Sequence, residues 1–247
     1  MTLSLGIDRY REVVVLTGAG ISVASGLRPY RGPGGLWEEA GVAELATAES
    51  MAQRPADVWK LFGPVRRQAR AANPNAAHSA LAETERRLSA AAFTIITQNI
   101  DGLHQRAGSS NVVELHGSIF RTRCTDPACD LEPFDDEDPH VGELPRCPRC
   151  SSTLRPDIVF FDEPLPGGAE WRAKRALRDC DFFMAVGTSG TVSPASNFVR
   201  SAEYARARTV LVNLEPMSPR NPAYDEEYLG KAEELLPHLL AERSTAH

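Results

Sequence analysis

Val13-Val14-Val15-Leu16-Thr17-Gly18-Ala19-Gly20 is the stretch on which the fold turns. A short apolar, β-branched run that ends in Gly-x-Gly reads as a buried strand followed by a glycine turn. The pattern returns in Phe93-Thr94-Ile95-Ile96-Thr97, in Phe182-Phe183-Met184-Ala185-Val186 before Gly187, and in Thr209-Val210-Leu211-Val212 before Asn213. These runs are continuous rather than alternating, as expected of strands covered on both faces. Helical stretches, for example 79–88, 194–207 and 231–242, separate them. Strands alternating with helices imply an α/β fold with a doubly wound parallel sheet. In such a sheet ligands sit beyond the carboxyl ends of the strands, so chemistry is sought there. Residues 28–77 and 121–154 break the rhythm and are expected to form a smaller module. Residues 1–27, 78–120 and 155–247 are expected to build the large domain.

The chain has 247 residues, 42% hydrophobic and 24% charged, ordinary for a globular protein with a sizeable core. Its net charge of -6 argues against a general nucleic-acid binder, which would carry a basic excess, and is compatible with a basic peptide partner. Residues 1–9 lack the charged start and apolar run of a signal peptide, and no apolar run is long enough to span a bilayer. The expected location is the cytoplasm, with no membrane partner. The sequence leaves the oligomeric state open.

Four of the five cysteines fall in 121–154. Cys124 and Cys129 form a C-x4-C pair, and Cys147 and Cys150 a C-x2-C pair, close to the spacing of a two-knuckle zinc ribbon. Four thiolates close a tetrahedral shell with no open position, so a structural zinc is expected. A short acidic, proline-rich insert cannot build its own core, and a metal would stabilise it. Disulfides or unrelated thiols are the alternatives. Asp126, Asp130, Glu132 and Asp135 around the ribbon speak against nucleic-acid binding there. Cys180, beside an apolar run, reads as a small core residue.

Leu16-Thr17-Gly18-Ala19-Gly20-Ile21-Ser22 carries the G-x-G of a dinucleotide site, where backbone can approach a pyrophosphate closely. Val23 stands where a third glycine would be, and alone the motif could be a plain turn. Gly187-Thr188-Ser189 and Asn213-Leu214-Glu215 add polar strand ends, and Glu215 could accept hydrogen bonds from ribose hydroxyls. Together they suggest a nucleotide cleft.

Thr97-Gln98-Asn99-Ile100-Asp101-Gly102-Leu103-His104, followed by Leu115-His116-Gly117, makes the reading specific. Here the chain resembles the sirtuin family, in the bacterial branch often called class III. The resemblance runs in order through Gly18 to Ser22, Ser25-Gly26, Tyr30-Arg31-Gly32, Gly35-Leu36-Trp37, Gln98 to Asp101, His116, the two cysteine pairs, Leu154-Arg155-Pro156, Gly187 to Ser189 and Asn213 to Pro216. It implies a Rossmann-like NAD-binding domain, and a small domain with a zinc ribbon and a helical NAD-covering region. It also implies an NAD-dependent protein-lysine deacylase in which NAD is consumed. The acyl oxygen attacks C1′ of the nicotinamide ribose, nicotinamide leaves, and His116 acts as general base. Water then resolves the intermediate to free lysine and O-acyl-ADP-ribose. Asn99 and Asp101 would line the nicotinamide pocket, Arg31 would lie near phosphate and ribose, and Ala232 is counted with the cofactor contacts. His104 reads as structural. Val159, Phe160 and Phe161 occupy the place where the family pairs an extended substrate peptide as an added strand. Asp162 stands where glycine is common, and could attract basic peptides or disfavour acidic ones. ADP-ribosyl transfer and non-catalytic NAD sensing are the competing readings.

Branch members that remove succinyl or malonyl groups carry a Tyr and an Arg three residues apart, which bind the acyl carboxylate. Gap-free alignment from Pro55 through Trp59 sets those positions on Phe62 and Val65. Neither can pair with a carboxylate, so acetyl or longer uncharged acyl groups are the expected substrates. A register change would bring in Arg66 or Arg67.

Overall fold

The computed structural model describes residues 4–30, 34–89 and 92–242. Strands β1 (Val13–Thr17), β2 (Phe93–Thr97) and β3 (Val112–Glu114) share one sheet with three later strands. Strands β4 (Gly117–Cys124), β5 (Phe134–Asp135) and β6 (Leu154–Ile158) form a second, antiparallel sheet in the order β5-β4-β6. Strands β7 (Phe182–Val186), β8 (Arg208–Asn213) and β9 (Glu226–Leu229) complete the first. Its order is β3-β2-β1-β7-β8-β9, parallel throughout. The strand order reverses between β1 and β7, so a crevice opens where Thr17 and Val186 end.

The continuous apolar runs have a simple cause. Val13, Val15, Ile95, Met184 and Val212 point to one face, and Val14, Leu16, Ile96, Ala185 and Leu211 to the other. Helices cover both. Helices α1 (Val42–Leu45), α2 (Ala48–Gln53) and α3 (Pro55–Ala71) belong to the inserted segment, and α4 (Ala76–Leu88) and the short α5 (Leu103–Arg106) follow. Then come α6 (Gly167–Asp179), α7 (Phe198–Tyr204) and α8 (Ala232–Leu239). Leu81 of α4 and Leu236 of α8 pack on the first face, Leu177 of α6 and Val199 of α7 on the second.

Several boundaries differ from the sequence expectation. The helix expected over 79–88 starts at Ala76, because the Asn75 side chain accepts from the Ala77 N–H and His78 Nδ1 accepts from the Asn75 N–H. The helix expected over 194–207 is a 3-10 turn at Ala195–Asn197 and then α7, and that over 231–242 is the shorter α8. Helix α6 and the edge strands β3 and β9 lie outside the elements expected from the sequence. The second sheet begins at Gly117 and ends at Ile158, outside the 121–154 bounds.

Helix α3 lies on the second sheet, with Val58, Trp59 and Phe62 against Ile119, Ile158 and Phe160. Arg66, fully buried, fastens the two: its Nε donates to Ile119 O (2.7 Å), Nη1 to Asp138 O (2.7 Å), and Nη1 lies 3.1 Å from Asp136. A buried cation held by carbonyls and one carboxylate is satisfied, and it is not available to any ligand. Among the described residues, no helix is long and apolar enough to cross a membrane.

Candidate active site

A cleft of about 1020 Å³ opens at the crevice between β1 and β7. Three glycines make its floor. A Cβ on Gly18 would lie 2.7 Å from Gly187 O, one on Gly20 2.7 Å from Gly187 Cα, and one on Gly187 (φ +60) 2.5 Å from Ile21 N. The turns after β1 and β7 therefore interlock, with Gly20 N donating to Gly187 O at 2.9 Å. Ala19 lines the cleft, whereas the Ile21 side chain is buried in the core below it. After Gly18 the chain forms a 3-10 helix, Ala19–Ser25, rather than an α-helix laid along the sheet. Val23 is 49% exposed and faces the cleft, so no third glycine is needed at that position.

The end of β2 supplies the polar centre. Asn99 is buried, and its Nδ2 donates to Gly18 O (3.1 Å) and Ser22 Oγ (3.2 Å). Among the described residues its Oδ1 is buried with no partner, an acceptor that a ligand N–H could satisfy. Asp101 accepts from Ser22 Oγ (2.7 Å) and Leu103 N (3.0 Å). Burial pushes its carboxyl above the usual range, against the pull of those two hydrogen bonds. Asp101 and Ser22 face a second cavity of about 250 Å³ that shares Ala19, Tyr30, Asn99 and Ile100 with the main cleft. Gln98 Nε2 reaches Thr188 Oγ1 at 3.1 Å.

At the ends of β7 and β8, Thr188 and Asn213 clamp each other: Thr188 N donates to Asn213 Oδ1 (3.1 Å), and Asn213 Nδ2 to Thr188 O (2.9 Å). The Asn213 amide thus holds the β7 turn. Ser189, Leu214, Glu215 and Ala232 line the rim. Arg31 lies outside the described residues.

His116 faces the cleft beyond Asn99. Its Nδ1 lies 2.9 Å from Gln98 O, which can only accept, so Nδ1 carries the proton and Nε2 is the free acceptor. Burial lowers its pKa, and the hydrogen bond to Gln98 opposes the shift. Beyond it lies an apolar wall of Ala46, Phe62, Val159, Phe160 and Phe161. Val159 N donates to His116 O (3.0 Å), which ties the segment after β6 to the base. Trp37 stacks on Tyr30 with centroids 5.2 Å apart and meets Phe161 edge-on at 5.1 Å.

Two placements correct the sequence reading. Val65 lies in the second cavity beside Tyr30 and Asp101, not in the main cleft with Phe62, since three residues turn a helix about 60° short of a full circle. Arg66 is consumed by its buried partners and Arg67 is exposed, so neither supplies a cation beside Phe62. Ala46, Leu165, Val192 and Met217 also line the cleft, and the sequence offers no signal for them beyond apolar character.

Cys124, Cys129, Cys147 and Cys150 bring their four Sγ atoms within 4.8 Å of one another. Cys124 and Cys150 lie 3.5 Å apart, and Cys129 and Cys147 3.7 Å. These are too long for disulfides and match the roughly 3.8 Å S···S spacing around a tetrahedral ion with ~2.3 Å zinc–sulfur bonds. The donor set fits one structural zinc. Cys180 is buried in the core, as expected.

The Sir2 family matches residues 18–194. An NAD-dependent protein deacylase of Pasteurella multocida is 44% identical over 94% of this chain and 97% of its own length. A solved Sir2 homolog–NAD complex superposes with TM-score 0.87 at 38% identity, covering 95% of this chain and 90% of the other. A Sir2–p53 peptide–NAD+ structure gives TM-score 0.78 at 30% identity, covering 93% and 92%. The fold and glycine-floored cleft define a dinucleotide-binding α/β enzyme with a zinc-ribbon module. The chain belongs to the Sir2 family, and the expected family and fold are borne out.

Proposed function

We infer that this chain is an NAD-dependent protein-lysine deacylase that acts on uncharged acyl groups. The observation that carries the reading is the free Nε2 of His116 at the junction of a glycine-floored cleft and an apolar channel. The cleft fits NAD on the chain's own terms. Gly18, Gly20 and Gly187 let the turns after β1 and β7 interlock as a floor without side chains, and among the described residues Asn99 Oδ1 is an orphaned acceptor. The pyrophosphate would lie over the Gly18–Gly20 turn beside Thr188 and Ser189, and the adenosine end near Leu214, Glu215 and Ala232. Asn99, Ile100 and Asp101 would hold the nicotinamide carboxamide. Tyr30, Trp37 and Arg31 belong to the segment that covers it.

Bound NAD supplies an electrophilic anomeric carbon and a nicotinamide leaving group. The chain does the rest. The apolar wall desolvates the acyl group and aims its oxygen. Val159, Phe160 and Phe161 donate their N–H groups to His116 O, Glu163 Oε2 and Ala46 O, so an extended peptide would meet the carbonyl oxygens of this segment, a main-chain contact that tolerates varied side chains. Neutral His116 accepts a proton at Nε2. Among the described residues lining the cleft, Lys231 is the one Lys or Arg, at the foot of α8 rather than beside Phe62. An acyl carboxylate in the channel would lack a partner, at a cost of ~1–3 kcal/mol, tenfold or more in rate. Unpaired cysteines fit a cytoplasmic location.

The test is incubation with NAD and matched peptides bearing acetyl-, myristoyl- or succinyl-lysine, read by mass spectrometry. The expected result is acyl loss with O-acyl-ADP-ribose, at least about tenfold faster for an uncharged group than for succinyl. Faster succinyl removal would refute the acyl preference. ADP-ribose transferred to peptide without acyl loss, or NAD bound but not consumed, would refute the deacylase reading.

A further inference from the structure

Asp162 directly follows the substrate segment 159–161, and it does not point freely into solvent. Its Oδ1 accepts from Ala48 N at 2.6 Å and its Oδ2 from Glu49 N at 3.3 Å. Those are the first two amides of α2, and the third, Ser50 N, donates to Thr47 Oγ1 at 3.0 Å. The first amides of a helix have no partner within it, so a carboxylate from a distant segment satisfies donors that would otherwise need water. One residue earlier, Phe161 N donates to Ala46 O at 3.0 Å. Three hydrogen bonds in succession thus join 161–162 to 46–49. Ala46 is buried and lines the channel together with Phe160 and Phe161.

We propose that Asp162 is a positioning residue: it locks the Ala46 side of the acyl channel onto the segment 159–161 that borders the peptide, and so sets how tightly an acyl-peptide is held. The inference rests on the deacylase reading and deepens it. Glycine at this position would leave the Ala48 and Glu49 amides without their carboxylate, with Phe161 N–Ala46 O as the remaining hydrogen bond between 161–162 and 46–49 among the described residues. The hydrogen bond from Ala48 holds the carboxyl below its ordinary range, as expected of an anion used as a cap. A different role, recruitment of basic peptides by charge alone, predicts other behaviour, because asparagine keeps a cap oxygen and loses the charge.

The experiment compares wild type, Asp162→Asn and Asp162→Gly on acetyl-lysine peptides with neutral and with basic flanks. Amide exchange at Ala48 and Glu49 is followed in the ligand-free protein. Expected for Asp162→Gly is about a fivefold rise in peptide KM on both peptides, little change in kcat or in KM for NAD, and faster exchange of both amides. Asp162→Asn should recover most of the peptide KM and the protection of Ala48. Asp162→Gly with unchanged KM, or Asp162→Asn as impaired as Asp162→Gly on basic peptides only, would overturn the clamp while leaving the deacylase reading intact. A wild type that removes no acyl group from any peptide would overturn both.

Discussion

His116 Nδ1 and the Gln98 carbonyl oxygen lie 2.9 Å apart, and this contact fixes which nitrogen of the imidazole can work. The carbonyl holds the proton on Nδ1, so Nε2 presents its lone pair to the cleft. His116→Ala should lower acyl release by about 10²–10⁴-fold while NAD affinity, set by the glycine floor, changes little. Burial lowers the His116 pKa, so the neutral base persists below pH 6.5. The acid limb of the kcat/KM profile should therefore have its midpoint below 6.5, with activity falling as the pH drops through it. A midpoint above 6.5 would mean that another group controls the limb.

The glycine floor makes a second expectation quantitative in direction. A Cβ on Gly20 would sit 2.7 Å from Gly187 Cα, and backbone cannot yield as a flexible side chain would. Gly20→Ala should destabilise the fold by ~1–3 kcal/mol, roughly 2–12 °C in Tm, and raise KM for NAD. Gly168, inside α6, is the matched control, because a Cβ there would meet nothing within 4 Å. Gly168→Ala should be neutral or stabilising by up to about 1 kcal/mol. Equal melting curves for the two variants would refute the interlock.

Legibility in the sequence follows locality. β1, β2, β7 and β8 are readable because a strand buried on both faces writes itself as an uninterrupted apolar run. β9 is not, because Glu226-Glu227-Tyr228-Leu229 at the sheet edge has polar freedom on its open side. The cysteine cluster is readable from spacing, and His116 from its neighbours in the family pattern. The roles of Arg66, Asn213 and Asp162 are not. Each is fixed by a partner at Asp136, Thr188 or Ala48, between 25 and 114 positions away, and no local period encodes such a pairing.

Removing zinc tests the small module. Its second sheet is closed by the cysteine pairs at one end and fastened to α3 by Arg66 at the other. The purified protein should carry about one zinc per chain, and chelation or Cys147→Ser should lower Tm and expose the ribbon to proteolysis first. Cys180→Ser, in the main core, should leave zinc content unchanged, although it too lowers Tm. Full zinc occupancy in Cys147→Ser would show that the four sulfurs do not act as one ligand set.

Two buried histidines give the last expectation. His104 Nε2 lies 2.9 Å from Thr17 Oγ1, which donates to Thr97 Oγ1 at 2.9 Å, and Thr97 Oγ1 accepts from Asn99 N at 3.0 Å. His78 packs beside His104 with centroids 5.0 Å apart. Burial lowers His78 to about 4, and burial with the neighbouring His78 lowers His104 to about 3. Both are neutral in the fold, while an unfolded histidine titrates near 6.5. Between pH 6.5 and 4 the unfolded chain therefore binds more protons than the native one, and stability falls as pH falls. The contribution is complete above 6.5 and declines by up to ~1.4 kcal/mol per pH unit for each histidine below it. Tm should drop between pH 6.5 and 5, where most carboxylates are still ionised, and His78→Gln should flatten that slope. A Tm independent of pH from 7 to 5 would show that one or both imidazoles accept a proton inside the fold, and would require a carboxylate or an opening near them that the neutral pair does not need.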